Sequence, residues 1–85
     1  MRLDLLLVRL RFAKSRSVAQ HWIEEAHMRC NGERVTRADL PVATGDVLTL
    51  PIGYTVRVIA IESLPARRGP AAEARSHYRE LDRNA

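Results

Sequence analysis

Apolar residues at Leu3, Leu6, Leu7 and Leu10 follow the i, i+3, i+4, i+7 spacing of one helical face, so the chain is predicted to open with a helix. Leu5, Val8 and Phe12 add a second apolar stripe, and a helix apolar on two sides must pack against more than one element. The second stripe fits either a protein partner or a C-terminal helix. Asp4 reads as a cap or as an orienting partner for a nearby arginine. Ser15 is a plausible N-cap for a second helix running from Ser15 to about His27. Along it Val18, Ala19, Trp22, Ile23 and Ala26 recur at helical spacing, and Arg16, Gln20, Glu24 and Glu25 take other positions. Only the segment from Phe12 to Lys14 separates the two, which makes them a helix pair.

After His27 the period changes to two. Met28 and Cys30 alternate with Arg29, Asn31-Gly32 signals a tight reversal, and Arg34 to Thr36 returns as a strand. Thr44-Gly45-Asp46 opens a strand at Val47 to Leu50, and Gly53 precedes the β-rich stretch from Thr55 to Ile61. Pro70 then suits the first turn of a final helix carrying Ala71, Ala74, Tyr78 and Leu81 on one face, and the last residues are expected to fray. The fold class expected is α+β. Two N-terminal helices pack on a small, mostly antiparallel sheet of about four strands, and a C-terminal helix follows. Residues 1–64 read as one domain, and residues 65–85 as connector and final helix.

Length and charge sharpen this picture. Eighty-five residues suit one small domain with a thin core. Fourteen Lys plus Arg against ten Asp plus Glu give a net charge of +4, which favours a polyanionic partner. All but one of the fourteen are arginine, the better fork for phosphate. Eight of the basic residues fall within residues 1–37, against four acids there. No apolar run resembles a signal core or a membrane span, and the lone Cys30 cannot form an intrachain disulfide, so a cytoplasmic location is expected. Cys30 itself reads as a small buried strand residue. His21, His27, His77 and Cys30 show no zinc spacing, and no nucleophile elbow or phosphate loop accompanies Ser15, His21 and Asp39. Neither enzyme chemistry nor a cofactor or metal is expected.

The ordered set Arg2-Leu3-Asp4, Leu7, Arg11, Ser15-Arg16, Ala19, Ile23, Asn31-Gly32, Val35, Val42 and Gly45-Asp46 resembles the S-four-type RNA-binding domain, over residues 2–50. Pro65, Arg67-Arg68, the run from Pro70 to Ala74 and Tyr78 resemble the tail of the bacterial fifteen-kilodalton heat-shock protein family. The resemblance implies binding to ribosomal RNA of a large subunit carrying a stalled, tRNA-linked nascent chain. Leu5 stands where that domain usually has lysine, which removes one phosphate contact.

Charge and resemblance together nominate Arg2, Arg9, Arg11, Lys14, Ser15, Arg16, Gln20, Asn31, Arg34 and Arg37 as RNA-contacting residues. Arg2, Arg11, Lys14 and Arg16 are expected on a single basic face at the helix junction; Arg29, Arg34 and Arg37 rank behind them, their strand faces depending on register. Trp22 reads as core and Tyr54 as an exposed stacker. The expected function is recognition of structured RNA by a monomer, in rescue or recycling of stalled ribosomal complexes under heat stress. The alternatives are a general nucleic-acid module that binds DNA and a protein adaptor using the apolar first helix.

Overall fold

The computed structural model describes residues 1–81. Both predicted N-terminal helices form, as α1 (Leu3–Arg9) and α2 (Arg16–Glu25). They are followed by β1 (Arg29–Cys30), β2 (Glu33–Arg34), β3 (Val47–Ile52), β4 (Thr55–Ile61), α3 (Ala71–Arg75) and β5 (Tyr78–Glu80). The strands make one antiparallel sheet in the order β2-β1-β3-β4-β5.

One core joins the layers. Leu3, Leu6, Leu7 and Leu10 of the first apolar face are buried against Ala19 and Ile23 of α2, and against Leu48, Leu50, Ile59 and Ile61 on alternate positions of β3 and β4. Each of these leucine and isoleucine side chains contributes about 1.5–3 kcal/mol through burial. Trp22 packs on the edge of this core, half-buried, with its indole Nε1 donating to the Pro51 carbonyl at 3.2 Å.

The ends of α1 carry more information than its middle. Its N-cap, Arg2, offers no side-chain cap; instead the Leu3 and Asp4 amides donate to the Leu40 and Ala38 carbonyls at 2.9 and 3.0 Å. Segment 38–42 is thereby held alongside the start of α1, and Arg2 bridges to Pro41. At the other end the Arg11 amide donates to the Val8 carbonyl and the Phe12 amide to the Leu7 carbonyl, the paired bonds of a Schellman motif. The left-handed position of that motif is Arg11, with φ 67°, where glycine is usual. Helix α2 starts as expected: the Ser15 hydroxyl accepts from the Val18 amide at 3.3 Å.

Asn31 and Gly32 both take positive φ, 53° and 84°, as a two-residue type I′ hairpin turn between Cys30 and Glu33 requires. Asn31 also ties this hairpin to β3, its Oδ1 accepting from the Val47 amide at 2.9 Å and its Nδ2 donating to Asp46 at 3.1 Å. Gly53, at φ 58°, makes the equally tight turn from β3 to β4 and leaves Tyr54 fully exposed.

The C-terminal segment departs from its helical periodicity. Helix α3 ends at Arg75, because the Ser76 hydroxyl takes the Glu73 carbonyl at 2.6 Å and the His77 amide closes on Ala74. The chain then adds β5 to the open edge of β4, giving five strands instead of about four. Tyr78, assigned to a helix face by its spacing, packs on Phe12 from this strand with ring centroids 5.4 Å apart. The expected fraying falls on residues 82–85, outside the described residues. No described helix is long and apolar enough to cross a membrane.

Candidate nucleic-acid interface

The junction of the two helices is built around one carboxylate. Asp4 is fully buried at the first turn of α1, where its Oδ1 accepts from the Leu5 amide at 2.7 Å. Arg2 grips it with two parallel bonds, Nε to Oδ1 at 2.7 Å and Nη2 to Oδ2 at 2.9 Å. From α2, Gln20 donates to Oδ2 at 2.9 Å and the Arg16 guanidinium lies 3.7 Å away. Burial pushes the Asp4 carboxyl up, but the bonds from Arg2, Gln20 and Leu5 outweigh it and hold the group below the ordinary carboxylate range. The Arg2 and Arg16 side chains remain 41% and 51% exposed, so one buried charge orients two cations that still face solvent. Asp4 is therefore an orienting partner, one of the two roles its position suggests.

Segment 38–42 brings a third arginine to this neighbourhood. Arg37 is held by Asp39 at 2.9 and 3.0 Å, and the field of Asp39 reaches Arg2. Lys14, in the link between the helices, is exposed and has no hydrogen bond or ion pair among the described residues.

Register places a further pair on the β1–β2 ribbon. Arg29 and Arg34 are direct cross-strand partners, both exposed. Like charges set opposite one another cost stability, and here only the Gly32 carbonyl accepts from Arg29, at 3.0 Å. Sequence reasoning set Arg29 and Arg34 together behind the helix-junction cations and left their strand faces to the register, which the I′ turn fixes.

Arg9 and Arg11 turn elsewhere. Arg9 donates to the Pro65 carbonyl and Arg11 to the Gly69 carbonyl, both at 3.0 Å, while Arg68 returns to the Val8 carbonyl at 3.1 Å. These three bonds sew the connector to the C-terminal end of α1, where cations also suit the helix dipole. Of the four cations expected on a single face, Arg2 and Arg16 share Asp4, Lys14 is exposed, and Arg11, the left-handed residue at the end of α1, is tied to the connector. Ser15 and Asn31 spend their side-chain oxygens on a cap and on a strand amide.

Two of the three residues of the second apolar stripe are engaged within the chain. Val8 and Phe12 are half-buried against the core, with Tyr78 on Phe12. Sequence reasoning missed Arg57, whose guanidinium lies 5.1 Å from the Phe12 centroid and bonds Glu80 of β5 at 3.1 Å; only tertiary pairing reveals it. Burial first, then Asp46 and Glu33, raise the pKa of the half-buried Cys30 thiol above its ordinary value.

Comparison with known proteins agrees with this geometry. The S4 domain family, the S-four-type domain of the sequence reading, matches residues 1–48. Small ribosomal subunit protein uS4 of Gloeobacter violaceus is 41% identical over 49 residues, 58% of this chain and 24% of that protein. Heat shock protein 15 of Escherichia coli is 34% identical over 79 residues, 93% of this chain and 59% of that protein. The chain therefore spans less than two thirds of either relative. A structure described as the trimeric structure of Vibrio cholerae heat shock protein 15 superposes with a TM-score of 0.87 at 36% identity, covering 95% of this chain and 81% of that one. With its helix pair, hairpin and matched motif residues in the same order, this chain belongs to the S4 domain family.

Proposed function

We propose that this protein binds structured RNA, and that its target is ribosomal RNA of the large subunit. The observation that carries the reading is the Asp4-centred junction, where a buried carboxylate bonds Arg2 in a two-point grip and draws Arg16 to 3.7 Å, both side chains staying half-exposed. Preset guanidinium forks match phosphate oxygens at low entropic cost, and such contacts fix orientation on folded RNA without reading its bases. The exposed Lys14 and the exposed Arg29–Arg34 ribbon supply further cations for phosphate contact. Similarity to uS4 and to heat shock protein 15 supports a ribosomal target. Similarity to the latter also supports the finer reading: rescue or recycling of stalled, tRNA-linked complexes under heat stress, in the cytoplasm and without catalysis.

Fluorescence anisotropy with a ribosomal RNA hairpin and with duplex DNA of equal length, at equal salt, tests the first step. The RNA is expected to bind at least tenfold more tightly. Equal affinity would instead assign a general nucleic-acid module.

A further inference from the structure

Outside the Asp4 junction, the strongest feature is an open cavity of about 300 Å³ between the end of α1 and the C-terminal segment, lined by Leu10, Arg11, Phe12, Arg57, Ala71, Ala74, Arg75 and Tyr78. Three arginines and two aromatic residues thus border one space, with the Arg57 guanidinium lying over the Phe12 ring. Among the described residues, Glu80 pairs with Arg57 and so offsets one of these charges, while Glu73 pairs with Arg67 at 2.9 Å, outside the lining. Arg11 gives Nη1 to the Gly69 carbonyl and keeps its other donors. Arg75 is exposed and has no hydrogen bond or ion pair among the described residues. Arg11 and Arg75 beside a tilted pair of aromatic rings supply the chemistry of a nucleotide site, phosphate on one side and base on the other. A duplex presents its phosphates on a convex surface, whereas a single unpaired nucleotide fits a concave one.

We propose that this cavity is a nucleotide-binding pocket that takes one unpaired nucleotide of the bound RNA, its phosphate on Arg11 and Arg75 and its base against the Phe12–Tyr78 wall. The pocket rests on the RNA reading only for the source of that nucleotide. It also gives the left-handed Arg11 a purpose. In that conformation the side chain reaches the connector, where it bonds the Gly69 carbonyl.

The test uses the full chain and two RNA hairpins, one blunt and one carrying a single-stranded 3′ tail. Arg75→Glu is expected to weaken binding of the tailed hairpin roughly tenfold and to leave the blunt one within about twofold. Arg16→Ala should weaken both. Equal effects of Arg75→Glu on the two RNAs, or no effect on either, would overturn the pocket. Titration with uridine monophosphate, followed at the Arg75 Nε–H and Tyr78 ring resonances, separates this from the RNA reading. If the wild-type chain binds neither hairpin, the RNA reading fails; saturable nucleotide shifts would then support the pocket with free nucleotide as its source, and their absence would reject it.

Discussion

Asp4 shows how much one side chain can organise. It collects bonds from Arg2, Gln20 and its neighbouring amide while fully buried, so removing its charge leaves donors without an acceptor. Asp4→Asn is expected to cost about 1–3 kcal/mol in urea unfolding at pH 7. If simple charge governed RNA binding, the same variant, one unit more positive, would bind more tightly; if Asp4 positions Arg2 and Arg16, it should bind several-fold more weakly, and anisotropy decides between these. The pH dependence follows from the lowered carboxyl. Because its folded pKa lies below the ordinary value of about 3.9, its stabilisation is present above that value and is lost as the pH falls through the lowered one. Unfolding free energies measured from pH 7 downward should therefore drop in acid, and drop less in Asp4→Asn. The Arg29–Arg34 pair makes the opposite trade, since its like charges cost stability. Arg34→Gln should leave stability unchanged or raise it by up to about 0.5 kcal/mol, yet weaken RNA binding. A variant that loses both would assign Arg34 a structural role.

Among the elements, the end of α1 is the informative one. A Schellman motif with Arg11 at its left-handed position carries about 1 kcal/mol of backbone strain that glycine would relieve. Arg11→Gly and Arg11→Ala both delete the guanidinium and its bond to Gly69, but only the alanine keeps the strain. Thermal unfolding should place the glycine variant above the alanine variant by about 1 kcal/mol, with both weaker than wild type for RNA. Equal stabilities would mean that α1 ends differently in solution. Strand β5 is a second lesson at this scale. Ala71 to Leu81 has helical spacing, yet the edge of β4 offered unpaired backbone groups and the chain satisfied them with residues 78–80.

For the molecule as a whole, cations are spread over the helix junction, the hairpin and the connector, and phosphate contacts from several of them would act together. About four such contacts give a slope of log affinity against log salt of roughly −3 to −4, Leu5 having removed one lysine contact. Arg16→Ala should make that slope shallower by somewhat under one unit. A flat dependence that the variant does not alter would point away from phosphate recognition and towards an adaptor, with half-buried Leu5 beside the engaged Val8 and Phe12 as its surface.

Local chemistry alone determined the helix pair, the hairpin and the central strands. Leucine spacing, the Ser15 cap and the Asn31-Gly32 pair each act within a few residues of chain, and each was legible in the sequence. Sequence order also carried the family motif, because its residues sit at fixed offsets in these local elements. Which cations stand together was decided only by tertiary structure. Whether Arg11 joins Arg2 and Arg16 depends on a left-handed residue and on a connector more than fifty residues away in sequence, and the Arg57–Phe12–Tyr78 contact joins α1's end to two strands. Side-chain direction and edge pairing depend on free energies shared among distant segments, and no periodicity in a single stretch records them.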